Sequence, residues 1–113
     1  MHELSIATNI IEIVCEKANT ENVTKINSIA LDIGSLSGVM LESLQFCFSM
    51  ACKNTKADGA KLIINDIQAS ALCKTCKKDF VLENEYSACP SCKNFNYKLL
   101  QGKELSIKSI NVN

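Results

Sequence analysis

The sequence predicts an α/β (α+β) fold: two helices on a small three-stranded mixed sheet, with a cysteine-rich insert before the last strand. Three observations point to it. Two segments repeat apolar residues at spacings of three and four, three others alternate or end on turn residues, and two CxxC pairs lie together late in the chain. A length of 113 residues, 47% apolar and 21% charged with four Gly and one Pro, suffices for one modest core and a small satellite.

The first helix is expected over 4–18, where Leu4, Ala7, Ile10, Ile11, Val14 and Ala18 form one apolar stripe. Glu3 at its start suits the positive end of the helix dipole, and the polar "NTEN" (19–22) stops it. In "VTKINSIALDIG", Ile29, Leu31 and Ile33 alternate with Ser28, Ala30 and Asp32, which predicts a strand closed by Gly34. "GSLSG" (34–38) is a turn, after which Ser37 is expected to cap a second helix over 39–53 with Met40, Leu44, Cys47, Phe48 and Ala51 on one face. "KADG" (56–59) ends it, and "AKLIINDIQA" (60–69) follows as a strand, so strand, helix and strand form a crossover joining parallel neighbours. "ELSIKSINV" (104–112) supplies the final strand, with Leu105 and Ile107 and, after a one-residue slip, Ile110 and Val112 facing in. The expected domains are 1–72, completed by the strand 103–113, and an insert over 73–102.

Net charge is zero and Arg is absent, so no basic stripe is available to track phosphates, and nucleic acid is not an expected partner. No apolar run approaches the roughly 18 residues of a membrane span, and "MHELSIATNII" lacks the basic start and cleavage site of a secretory signal. A cytoplasmic protein without a membrane partner is expected. Residues 1–72 carry five Lys against eight acids, whereas 73–113 carry seven Lys against four, so the two regions differ electrically.

Seven cysteines is a high count for that compartment, and an odd number cannot all pair. Cys73, Cys76, Cys89 and Cys92 form two CxxC pairs twelve residues apart. Each pair can turn two sulfurs to one side of a tight turn, and two such knuckles face to face make the four-thiolate cage that Zn(II) prefers. A thioredoxin-like redox site would need one CxxC opening a helix, not two knuckles. Four sulfurs fill a tetrahedral site and leave no position for water, so the expected Zn(II) is structural. The insert has only Phe80, Val81, Leu82, Tyr86 and Phe95 or Tyr97 for a core, so the metal must supply much of its folding free energy. Lys74, Lys77, Lys78 and Lys93 lie in or beside the knuckles, where they offset the negative thiolates. Cys15, Cys47 and Cys52 fall within helical patterns and are expected to be small buried apolar residues with free thiols.

The single histidine is His2. With a free terminus, three nitrogens converge there: the Met1 amine, the deprotonated His2 amide and the His2 imidazole. Amine to amide closes a five-membered chelate ring and amide to imidazole a six-membered one, so the three lie nearly in a plane, and a fourth donor completes a square-planar site suited to Ni(II) or Cu(II). The competing expectation for a histidine so near a terminus is a frayed, solvated end.

The opening "MHEL", the "IGSLSGV" turn before "SLQFCF", the paired CxxC knuckles and the closing "GKELSIKSINV" together resemble the HypA/HybF family of nickel chaperones for [NiFe]-hydrogenase maturation, over essentially the whole chain. The resemblance implies that Met1, His2 and Glu3 hold transferable Ni(II), and that Cys73, Cys76, Cys89 and Cys92 hold structural Zn(II). It also implies a HypB-type GTPase and the [NiFe]-hydrogenase large subunit as partners, with urease maturation proteins added in some bacteria. Some relatives carry histidines beside the zinc cysteines, whereas this insert has none. A remaining nickel donor is expected from Glu3, from another acid such as Glu42, or from a partner. The alternative of a different class is a zinc-ribbon adaptor with an inert terminus. An enzyme is not expected, because no histidine partners a nucleophile and no Gly-rich phosphate loop is present.

Overall fold

The computed structural model describes residues 2–112. Its elements are α1 (Glu3–Thr20), β1 (Ile26–Gly34), α2 (Leu41–Ala51), β2 (Lys61–Ile67), β3 (Ser70–Cys73), β4 (Asp79–Val81), β5 (Tyr97–Gln101) and β6 (Leu105–Val112). They form two three-stranded sheets, of order β2-β1-β6 and β4-β3-β5. The Ser35 N–H donates to the Ile67 carbonyl at 2.9 Å, so β1 and β2 end side by side and run parallel. The Gly34 N–H bonds the Glu104 carbonyl at one end of β1, and the Asn27 amide meets Asn111 at the other, so β6 runs antiparallel. The first sheet is therefore mixed, as expected.

The chain divides into two compact units. The first takes 2–31, 39–65 and 106–112 of the described residues. Its core joins Ala7, Ile10, Ile11, Val14 and Ala18 of α1 to Leu44 and Phe48 of α2, with Ile26, Ile29 and Leu31 of β1. Removing each large aliphatic side chain from water contributes about 1.5–3 kcal/mol, which is what holds both helices in place. α1 runs beyond the expected 4–18 at both ends, and the Thr20 hydroxyl closes its last turn by donating to the Lys17 carbonyl at 2.8 Å. α2 is shorter than 39–53, and its cap is Met40 rather than Ser37. Met40 does not share the buried face either, since 69% of it is exposed, whereas Leu44 and Phe48 are buried. On β6, Ile107 and Ile110 are half-buried, but Leu105 and Val112 are exposed, so the slipped register covers only two of the four side chains expected to face in.

The second unit is Asp32–Gly38 with Asp66–Leu105. Ala69, Ala71, Cys73, Phe80, Leu82 and Cys89 form its core, with Leu36, Tyr97 and Leu99 packed against it. Phe80 and Tyr97 meet edge to face, their ring centroids 6.2 Å apart. Val81, Tyr86 and Phe95, candidates for the same core, are exposed instead. The strand expected over 60–69 breaks after Ile67 because the backbone of Ala69 bonds elsewhere: its N–H donates to Ser35 Oγ at 2.9 Å and its carbonyl accepts from the Leu82 N–H. Across the same crossing the Leu36 N–H donates to the Gly102 carbonyl at 2.7 Å. A Cβ on Gly34 would land on the Gly102 carbonyl, so glycine is required where these segments touch. These bonds carry the unit past the 73–102 expected for the insert, to Asp66–Leu105 with Asp32–Gly38 added.

Candidate metal centres

Cys73 ends β3, and Cys76, Cys89 and Cys92 stand on the turns around it. The two knuckles repeat one hydrogen-bond pattern. In the first, the Cys73 N–H donates to the Lys78 carbonyl at 2.9 Å and the Lys77 N–H to the Cys73 carbonyl at 2.9 Å. In the second, the Cys89 N–H donates to the Asn94 carbonyl at 2.9 Å and the Lys93 N–H to the Cys89 carbonyl at 2.8 Å. Lys77 and Lys93 each adopt φ 63, the left-handed conformation that lets the chain double back after the second cysteine.

The four sulfurs lie within 4.8 Å of one another. Across the knuckles, the Cys73 sulfur lies 3.4 Å from that of Cys92 and the Cys76 sulfur 3.5 Å from that of Cys89. All four are free thiols. A tetrahedron with Zn–S bonds of about 2.3 Å has sulfurs about 3.8 Å apart, so the observed cluster fits Zn(II) with small adjustments. Without metal the four cannot all ionise at once. The Cys76 N–H aimed at its sulfur draws the Cys73 thiol down to about 6, and the Cys92 N–H lowers Cys89 in the same way. Cys92 receives the Asn94 N–H, which favours its thiolate, but the neighbouring Cys73 sulfur and burial outweigh it and push the group up to about 11. Burial raises Cys76. Each close pair thus holds one group biased to thiolate and one to thiol, the expected response of like charges crowded together.

At the other candidate site, Met1 lies outside the described residues. His2 is exposed and extended, with φ −84 and ψ 94, and its carbonyl accepts the first α1 bond from the Ile6 N–H at 3.1 Å. Glu3 is the first residue of α1, and its Oε2 accepts the Met40 N–H at 3.1 Å. That bond, followed by the bond from the Glu3 N–H itself, holds the Glu3 carboxyl below its usual range. Glu42 is exposed in the first turn of α2. Among the described residues no side-chain cluster marks this terminus, because two of the nitrogens a chelate would use belong to the main chain. The Met40 amide had no signature in the sequence for the same reason: any residue supplies one.

Of the remaining cysteines, Cys15 and Cys47 are only half-buried, against the expectation that all three are buried. Cys52 is buried, and desolvation, with Asp58 and Cys15 nearby, pushes its thiol up to about 11. No described helix is long and apolar enough to cross a membrane.

Known proteins share this sequence and fold. Residues 1–112 match the family described as "Hydrogenase/urease nickel incorporation, metallochaperone, hypA". The hydrogenase maturation factor HypA of Chlorobaculum parvum is 46% identical over 112 residues, covering 99% of both chains. That of Prosthecochloris aestuarii is 40% identical, covering 97% of both. The solution structure of the Ni metallochaperone HypA from Helicobacter pylori superposes with a TM-score of 0.68 at 25% identity, over 99% of this chain and 97% of that one. With a family match over residues 1–112, end-to-end identity of this degree and a shared fold, the chain belongs to the HypA family of nickel-incorporating hydrogenase maturation factors.

Proposed function

We propose that this chain binds Ni(II) at its own start and hands it on, acting as a carrier and not as an enzyme. The Met1 amine and the His2 amide and imidazole are the donors, with Glu3 beside them. The recipient is the large subunit of a [NiFe]-hydrogenase, reached with a HypB-type GTPase, and in a urease-producing cell also the urease maturation proteins. Both the site and the transfer operate in the cytoplasm. The observation that carries this reading is the exposed, extended His2 directly before the first turn of α1, where a partner can reach its imidazole. Zn(II) in the four-cysteine cage would be resident: Cys73, Cys76, Cys89 and Cys92 would hold it, and it would supply fold and not chemistry.

Metal analysis of protein with a native terminus tests the carrier reading. The wild type should take up nickel and zinc, and His2→Ala should lose nickel while keeping zinc and fold. Undiminished nickel in His2→Ala would refute the assignment. The adaptor reading draws on the exposed Tyr86 and Phe95 of the second unit. A short N-terminal extension separates the two, since it blocks the amine and leaves that surface untouched.

A further inference from the structure

An α-helix leaves its first N–H groups without partners, and a side chain at the cap ordinarily takes one of them. α2 lacks that provision. Its cap is Met40, which makes no side-chain bond, and the third helical position is Ser43 instead of the Glu or Gln that would reach back to the cap N–H. The Met40 N–H is satisfied from 37 residues away, by Glu3 Oε2 at 3.1 Å. Glu3 also occupies the first position of α1. One carboxylate therefore stands at the positive ends of two helices that pack on each other.

This placement matters for a cation held by the preceding residues. Two helix N-termini converging on the chain start repel a dication, and a fixed negative charge between them offsets that repulsion. The same bond determines where the backbone of residue 3 lies, and so where His2 is presented. We infer that Glu3 is a positioning residue: its carboxylate caps α2 from α1, and in doing so it anchors and electrostatically prepares the start of the chain for Ni(II) without itself being the metal's required fourth donor. The inference deepens the carrier reading and rests on it only for the nickel part. The cap is a property of the chain before nickel binds.

Full-length protein with a native terminus, compared as wild type, Glu3→Gln and Glu3→Ala, tests both parts. Glu3→Gln keeps an acceptor oxygen and loses the charge, whereas Glu3→Ala loses both. In zinc-loaded, nickel-free protein, hydrogen exchange at the Met40 amide should quicken about fivefold in Glu3→Ala and less than that in Glu3→Gln, in line with the loss of a cap. On titration with Ni(II), Glu3→Ala should bind about tenfold more weakly, and Glu3→Gln should recover part of that loss. The square-planar absorption band should keep its position in both. Equal losses in the two variants accompanied by a shifted band would make the carboxylate a ligand and overturn the inference, as would unaltered Met40 exchange in Glu3→Ala. If His2→Ala retained nickel, the carrier reading would fall alone, with Met40 exchange still deciding the cap.

Discussion

Each of the four cage cysteines faces a sulfur from the opposite knuckle, so no single thiolate is dispensable. Cys73→Ser removes a buried one, and zinc content should fall below one equivalent with loss of tertiary signals from Phe80 and Tyr97, seen by metal analysis and NMR. Lys77 and Lys93 present a milder case. A side chain at φ 63 costs more than glycine does, so Lys77→Gly in zinc-loaded protein should raise stability by about 0.5–1 kcal/mol, measured by thermal unfolding. A loss instead would mean that the lysine charge outweighs its backbone strain. The clustering of the four cysteines was legible in the sequence because two facing knuckles need cysteines at fixed spacings. The partner of Glu3 was not, because a main-chain amide leaves no mark on residue identity.

Helices and strands show the same division. The apolar stripe of α1 and the alternation in β1 located both elements, since periodic burial is written directly into residue order. The end of β2 was hidden, because what breaks it is the Ser35 hydroxyl, more than thirty positions earlier. The start of α2 was misplaced for a related reason: Ser37 has the chemistry of a cap, but the carboxylate of another helix does the work. The contact between Gly34 and Gly102 gives a direct test. Gly34→Ala forces a methyl onto a carbonyl and should cost about 2–3 kcal/mol, read from denaturant unfolding, with the largest shifts at Leu36, Ala69 and Gly102. Leu44→Ala, in the core of the other unit, should cost about 2–5 kcal/mol without altering zinc content.

For the molecule as a whole, the two metals should respond differently to the same treatments. A strong chelator should strip a terminal, solvent-facing site first and the cage slowly, with the order read by metal analysis over time. Acid should act on nickel before zinc structure fails. Protons compete with the metal for amine and imidazole nitrogens, so nickel affinity should fall as pH drops, read by titration with Ni(II). The Glu3 cap has its own pH window. Its carboxyl lies lower in the folded chain than in an unfolded one, so the stabilisation is present above the unfolded value and fades as pH falls through the folded one. Met40 amide exchange should accordingly stay constant between pH 8 and 6, once corrected for intrinsic rates, and quicken only in stronger acid.

The cross-knuckle pairing of sulfurs decides what damage looks like. An oxidant reaching emptied protein would find Cys73 beside Cys92 and Cys76 beside Cys89, so crosslinks bridging 19 and 13 positions should form. Such staples would clamp the two turns together in nearly their original places. A corroded ribbon could then keep its outline while refusing zinc, and peptide mapping would expose it where a fold assay saw nothing amiss.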